Sequence, residues 1–344
     1  MDTIPRIIRI EADDPYSAGV RLGESLGHSF GPYLEDYLAA RSLAAKNCAK
    51  PSETHAVAWI SSLPQHISDR FRGLSKGSGI PFERIAHWGY QEIALGQGCS
   101  SIICRSKGKV WIGHNNDTFV PELWGYITVL EIKDRIPTMY FGLAGDIWTT
   151  AGINKAKLWL HIDHLNTTDK PDSRKAVLPT YGFIVEALET CETIDDVRGL
   201  LNKIDRTEGM ILIAADGKTD EAAIFECSCS RWRLSKVKTD WAVRTNHAMI
   251  GRESSKKGKL LLDTWSRYNR LAQLLENSYN SGRSPTPPDL KTYLADDGVE
   301  RRDNEFATAY SVVVCPAVNR TEFTLGGQPA ASCGNWSHIA WPWH

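Results

Sequence analysis

The chain has 344 residues, 42% hydrophobic and 24% charged, a balance that supports a sizeable folded core. Lys and Arg total 40 against 41 Asp and Glu, so the net charge is −1 and no basic face for a nucleic acid is expected. The opening stretch carries acids and lacks an apolar run, and no segment reads as a membrane span. These features lead to the expectation of a cytoplasmic protein with no membrane partner. None of the eight cysteines has C-x-x-C spacing, and Cys227-Ser228-Cys229 lacks a nearby His, so no metal and no other cofactor is expected.

Residues 1–98 read as a helical segment. Pro15 to Ala45 has helical character, with Gly19, Gly23, Gly27 and Gly31 recurring at four-residue steps. Small residues at that spacing either let another element pack closely or break the helix at Gly27 or Gly31. Further helices fit Glu53–Leu74 and Phe82–Leu95. From Ser100 onward the character changes to short runs rich in Val, Ile, Trp and Tyr. These are Ser101–Cys104, Lys109–Gly113, Tyr126–Ile132, Thr138–Leu143 and Lys157–Ile162. Two helices follow, Ala176–Glu189 and Ile194–Ile204, and then strands at Met210–Ala214, Ala222–Glu226, Arg231–Ser235 and Trp241–Thr245. Leu260–Asn277 reads as a helix, with Leu261, Trp265, Tyr268, Leu271 and Leu275 on its apolar side. Ser281–Pro288 reads as a loop, and the last strands fit Thr308–Val314 and Thr321–Leu325. This order suggests sheets covered by helices, with no boundary that splits the chain into independent domains. Trp111, Trp124, Trp148 and Trp159 fall in the strand-rich part, either as pocket lining or as core.

Gly98-Cys99-Ser100 sits where helix gives way to strand. It is followed by Gly113-His114-Asn115-Asn116-Asp117, by Thr245-Asn246-His247, by a D-x-W-x-R-x-x-R-x-x-x-L-L helix from Asp263 to Leu275, and by Leu325-Gly326-Gly327-Gln328-Pro329. With the Gly79-Ile80-Pro81 turn, these segments resemble, in order, the isopenicillin N acyltransferase family of N-terminal-nucleophile hydrolases. The resemblance implies an α+β, four-layer αββα sandwich of antiparallel sheets. It implies self-cleavage between Gly98 and Cys99, giving an α chain of residues 1–98 and a β chain of residues 99–344 that complete one domain.

The chemistry is coherent on its own terms. A Cys at a chain start carries an amine beside its thiol, so base and nucleophile share one residue. Gly98 would permit strained backbone angles at the bond to be cut. By resemblance, Asn246 donates to the oxyanion and Asp117 orients the nucleophile and assists cleavage. Asn115, His114 and His247 are candidates for supporting positions around them. In one respect the sequence departs from the family: where the isopenicillin N enzyme has an Arg before Ala-Thr, Glu305 precedes Phe306-Ala307-Thr308, and Arg301 and Arg302 are out of register. The penicillin substrate is therefore not carried over.

The expected activity is amide hydrolysis or acyl transfer through an acyl-Cys99 thioester, on a small-molecule or peptide amide. Acyl-CoA-dependent N-acylation of an amine is the narrower alternative. A non-catalytic binding protein of the same fold, or a thiol enzyme built on a separate His–Cys pair with Cys104, are the rivals. The purified protein is expected to run as two bands on a denaturing gel, and Cys99→Ala as one; two bands from Cys99→Ala would sink the self-cleavage reading.

Overall fold

The computed structural model describes residues 4–44, 52–94, 98–237, 240–250, 259–303 and 306–343. The N-terminal part holds β1 (Ile7–Ala12), α1 (Pro15–Leu26), α2 (Phe30–Ala44), α3 (Glu53–Ser62), α4 (Gln65–Ser78) and α5 (Phe82–Ala94). Strands then dominate: β2 (Gly98–Ser106), β3 (Lys109–Phe119), β4 (Trp124–Ile132), β5 (Thr138–Leu143), β6 (Ala151–Asn154), β7 (Leu158–Leu165) and β8 (Ala176–Leu178). After α6 (Thr180–Thr190) and α7 (Ile194–Lys203) come β9 (Ile204–Arg206), β10 (Gly209–Asp216), β11 (Glu221–Cys227), β12 (Trp232–Lys236) and β13 (Trp241–Arg244). The last elements are α8 (Lys259–Asn280), α9 (Pro287–Leu294), β14 (Phe306–Cys315), β15 (Arg320–Thr324), α10 (Ala330–Cys333) and β16 (Trp336–Ile339).

Two large sheets carry the fold. One has the order β1-β4-β5-β6-β7-β10-β11-β12, the other β13-β2-β3-β14-β15-β16. Every neighbouring pair in them is antiparallel except β1 with β4. The sheets face each other, and Ser101 on β2 reaches His161 and Asp163 on β7. The N-terminal helices and α6 cover the eight-stranded sheet in the larger apolar core. α8 and α9 cover the six-stranded sheet over a smaller core that includes Ile102, Leu271, Leu290 and Val313. This is the αββα sandwich. Trp124, Trp148 and Trp159 are fully buried in the larger apolar core. Among the described residues no helix is long and apolar enough to cross a membrane.

Several boundaries differ from the sequence reading for identifiable reasons. The first segment is not all helical: Ile7–Ala12 alternates exposed and buried residues, the two-residue period of a strand, and forms β1. Pro64 divides the expected Glu53–Leu74 helix into α3 and α4, because a proline nitrogen has no hydrogen to continue a helix. The expected Ser281–Pro288 loop runs into α9, whose Thr286 and Asp289 close a reciprocal capping pair before Pro287 and Pro288 at the first turn. Ala176–Leu178 is strand, and the helix waits until after Pro179.

The four N-terminal glycines divide between the two roles. A methyl on Gly19 would lie 2.2 Å from the Arg70 carbonyl oxygen, and one on Gly23 2.7 Å from that of Leu74. Facing them, Gly73 and Gly77 approach the carbonyls of Tyr16 and Val20 equally closely, so α1 and α4 meet backbone to backbone. Gly27 instead ends α1 with φ at 60°, and Gly31 faces open space. Gly73→Ala is expected to lower the urea unfolding midpoint, at a cost of about 1–3 kcal/mol from overpacking. Gly31→Ala should leave it unchanged or raise it, and equal effects of the two would refute this division.

Candidate active site

Cys99 is the second residue of β2, a strand hydrogen-bonded on both sides, by β13 and by β3. It lies opposite Asn116, while Gly98 lies opposite Asp117. Side chains alternate across a strand. Cys99 and Ser101 therefore point toward the eight-stranded sheet, and Gly98 and Ser100 toward α8. Gly98 is ordinary extended strand and carries no positive φ. Its smallness has a different cause from backbone strain: a methyl there would press on the Phe306 ring at 3.1 Å.

Asn246 stands two residues past the end of β13 and receives the Cys99 backbone N–H on Oδ1 at 2.8 Å. Arg267 Nη2 donates to the same oxygen at 2.9 Å. Both partners are pure donors, which fixes the orientation of the amide. Its Nδ2 donates to the His164 carbonyl at 3.0 Å.

Arg267, on α8, is buried and also donates through Nη1 to the Cys99 carbonyl and, at 2.7 Å, to Ser100 Oγ. Its Nη1 lies 3.9 Å from Asp117 Oδ2 and its Nη2 3.3 Å from Asp263 Oδ2, and Asp263 pairs with Arg301 as well. Arg267 was not singled out from sequence, although it lies within the Asp263–Leu275 motif. The signal was available: Thr264, Arg267, Leu271 and Leu275 are the buried stripe of α8, whereas Trp265 is half exposed.

Asp117 accepts a hydrogen bond from Thr308 Oγ1 at 2.7 Å. Burial pushes its carboxyl up to about 7, against the opposing pull of Arg267 and Thr308. The Cys99 thiol is raised well above its usual range, first by burial, then by the carboxylates of Asp163 and Asp117.

On the side of β2 to which the thiol points is a polar group that sequence reading did not assemble. On β7, Trp159, His161 and Asp163 are alternate residues and share the face toward β2. Trp159 Nε1 donates to His161 Nδ1 at 2.8 Å. Ser101 Oγ lies 2.9 Å from His161 Nε2, and 2.8 and 2.9 Å from the two Asp163 oxygens. His114 Nδ1 is 3.6 Å from Asp163 Oδ1. Burial pushes Asp163 up to about 7 and His114 down to about 3, and lowers His161 well below the usual range with the help of His114. A polar residue at every second position of a buried strand was the readable sign of this group.

The ligating atoms of His114, His161 and Asp163 all lie within 4.8 Å of one another, which raises the question of a metal. The indole N–H only donates, so His161 Nδ1 carries a lone pair and the neutral ring bears its proton on Nε2. Neither nitrogen of His161 then offers a lone pair to a cation, and the trio does not fit a metal.

The remaining sequence candidates separate from the thiol. Asn115 points to the α9 side, donating to the Leu294 carbonyl and accepting from Ser311 Oγ. His247 joins Thr245 and Thr264 through Nδ1 and stacks on Trp265, which docks α8. Cys104 packs in the smaller core under α8 and α9. Glu305 lies outside the described residues.

The model of the family described as acyl-coenzyme A:6-aminopenicillanic acid acyl-transferase matches residues 104–326, more than half of the chain. That span includes Asp117, Asn246 and Arg267 and begins five residues after Cys99. No curated protein matches the chain. Among solved structures, the chain is similar to an N-acylethanolamine-hydrolyzing acid amidase ortholog from Caenorhabditis elegans, at 15% identity, covering 71% of this chain and 100% of that one, with a TM-score of 0.49. It is similar to a conjugated bile acid hydrolase from Clostridium perfringens at 13% identity, 71% and 97% coverage and a TM-score of 0.47. It is also similar to penicillin V acylase from Agrobacterium tumefaciens at 16% identity, 70% and 86% coverage and a TM-score of 0.46.

The raised Asp117 carboxyl has a consequence for stability. The folded state holds this proton more tightly than the unfolded chain does. Its contribution to stability is therefore fully present below about pH 4 and is lost progressively as pH rises through about 7. In a Cys99→Ala background, expected to remain a single chain, Asp117→Asn should remove this group's share of the fall in urea midpoint between about pH 4 and about pH 7. An unchanged slope would show that Asp117 is not the group responsible.

Proposed function

The chain belongs to the acyl-coenzyme A:6-aminopenicillanic acid acyl-transferase family, and from that premise we propose that it is a self-cleaving N-terminal-cysteine amidohydrolase or acyltransferase whose nucleophile is Cys99. The observation that carries this reading is the position of Cys99 in β2, with its backbone nitrogen on Asn246 Oδ1 at 2.8 Å and its carbonyl held by Arg267. A new N-terminus at Cys99 would be held at both ends of the residue. The amine would be fixed by Asn246, the carbonyl by Arg267, and the thiol would face the space between the sheets.

In this reading the mature Cys99 amine takes the thiol proton as sulfur attacks the substrate carbonyl, and returns it to the leaving amine. Asn246 is assigned to the oxyanion through its amide nitrogen, and Asp117 and Arg267 position the first residue of the β chain. The acyl group then rests on Cys99 as a thioester. Water as acceptor makes the enzyme an amidase; an amine makes it an N-acyltransferase, with acyl-CoA as the narrower donor. Hydrolysis of a small amide is the broader assignment. The α and β chains stay associated, supported by the pairing of β1 with β4. The cytoplasm is the proposed compartment, in keeping with the six buried free thiols among the described residues.

The test is intact mass spectrometry of the mature protein incubated with a panel of N-acyl amines and acyl-CoA thioesters. At least one donor should add its acyl mass to the β chain, and Cys99→Ala should show none. An adduct that forms equally on Cys99→Ala would overturn the assignment of the nucleophile.

A further inference from the structure

Self-cleavage, on which this inference rests, has to occur before the Cys99 amine exists. In the intact chain that nitrogen is an amide and has no basic lone pair, while burial holds the thiol protonated. A separate group must accept the thiol proton. Asp117 is offset from the thiol, since its side chain leaves β3 on the face toward α8, with Thr308 and Arg267. The thiol points to the other face, the one on which Asp163 stands.

The hydrogen bonds around Asp163 run in one direction. Trp159 can only donate, so His161 must accept at Nδ1 and donate from Nε2. Ser101 Oγ receives that hydrogen, and its own hydrogen goes to Asp163. Ser101 Oγ also lies 3.3 Å from His114 Nδ1, but the Asp163 oxygens are nearer at 2.8 and 2.9 Å, and the series ends on a carboxylate that accepts. Ser101 and Cys99 are neighbours on one face of β2, so this relay meets the strand on the side to which the thiol points. Among charged groups acting on the Cys99 thiol, Asp163 acts most strongly.

We propose that Asp163, held by the Trp159–His161–Ser101 relay, is the proton acceptor for the Cys99 thiol in the intact chain and so the base of self-cleavage. The Asp163 carboxylate takes the Sγ proton as sulfur bonds to the Gly98 carbonyl carbon. The proton passes to the Cys99 nitrogen as the C–N bond breaks, leaving a Gly98–Cys99 thioester and a free amine. Water then adds to the thioester carbon, releasing a Gly98 carboxylic acid and the thiol. One water is consumed and the carboxylate is restored. Thereafter the amine is the base, and Asp163 is needed for maturation rather than turnover.

Asp163 is faced by Cys99 and Ser101 from β2, His114 and Asp117 from β3, and its own neighbour His161. Arg244 from β13, Arg267 from α8 and Tyr310 from β14 also act on it among the described residues. Of these, Ser101 is the one that stabilises the ionised form by a direct hydrogen bond. Its removal must make the carboxylate harder to form, moving the pH dependence of cleavage upward.

The experiment follows cleavage of full-length protein by intact mass after synthesis at low pH and a jump to a series of higher values. In wild type the rate should rise with a midpoint near the Asp163 value of about 7. Asp163→Asn should slow cleavage roughly 10²-fold or more, with Asp163→Glu recovering part of it. Ser101→Ala should move the midpoint up by about one pH unit, the size of one hydrogen bond to a charged group. Asp163→Asn cleaving within about threefold of wild type, or Ser101→Ala with an unmoved midpoint, overturns the assignment while leaving self-cleavage intact. Should Asp163→Asn fail to fold, as judged by circular dichroism, the Ser101→Ala midpoint decides alone. A wild-type chain that stays at full mass at every pH overturns both this inference and the self-cleavage beneath it.

Discussion

The pairing of β2 between β13 and β3 is the constraint on which the site depends. It places a bond proposed for cutting at the start of that strand, paired along one side with β3 and held on the other by the Asn246 side chain, just before the β13 ladder begins at Ser101. Such a bond cannot turn to meet a nucleophile from elsewhere. The nearest nucleophile is the side chain that follows it. The same pairing sends Cys99 and Gly98 to opposite faces, so the thiol meets one set of groups and the residue before it another. Gly98 then answers to space, because the Phe306 ring occupies the volume that a side chain would need.

Burial sets the electrostatics. Asp117 and Asp163 are both fully buried and both pushed up to about 7, on two faces of one strand pair. Arg267 is the counterweight, donating to Asn246, Ser100 and the Cys99 carbonyl while lying 3.9 Å from Asp117. A buried guanidinium with this many acceptors spends its fixed fork geometry on holding one residue in place. The arrangement explains why the proposed nucleophile needs no histidine at the thiol. The two histidines nearby, His114 and His161, are kept neutral by burial and act through hydrogen bonds.

The sandwich was legible because its parts announce themselves locally. Strand runs from Lys109 to Val314 follow β-branched and aromatic residues, and the α8 pattern is periodic. β1 was obscured because its six residues precede a long helical stretch whose composition dominates the segment. The α3–α4 break was signalled by Pro64 and passed over in favour of periodicity. For the candidate site, Cys99, Asp117 and Asn246 were singled out by ordered motifs, and the structure brings all three around one strand end. Asn115 and His247 share those motifs yet serve the docking of α9 and α8, since neighbours in sequence on a strand or turn face different ways. Arg267 and Asp163 were missed because each is an isolated polar residue on an element read for its apolar pattern. What they approach is decided by the meeting of distant elements, α8 on β2 and β7 on β2, which no local spacing encodes.

The parallel union of β1 with β4 bears on what a cut at residue 98 would do to the molecule as a whole. β1 runs beside β4 for six residue pairs, from Ile7 opposite Ile127 to Ala12 opposite Ile132. Residues such as Phe30, Leu34, Phe71 and Trp88 lie in the same apolar core as Phe141 and Trp159. A chain severed there becomes, formally, a heterodimer that was assembled while its partners were still tethered. Its interface is a divided core of the kind that does not separate on dilution. Unfolding is another matter. An intact chain refolds as a unimolecular event, indifferent to concentration, whereas two pieces must first find each other. Maturation would thus leave the native state unaltered and change the kinetic order of its return, making the processed protein one that is assembled once.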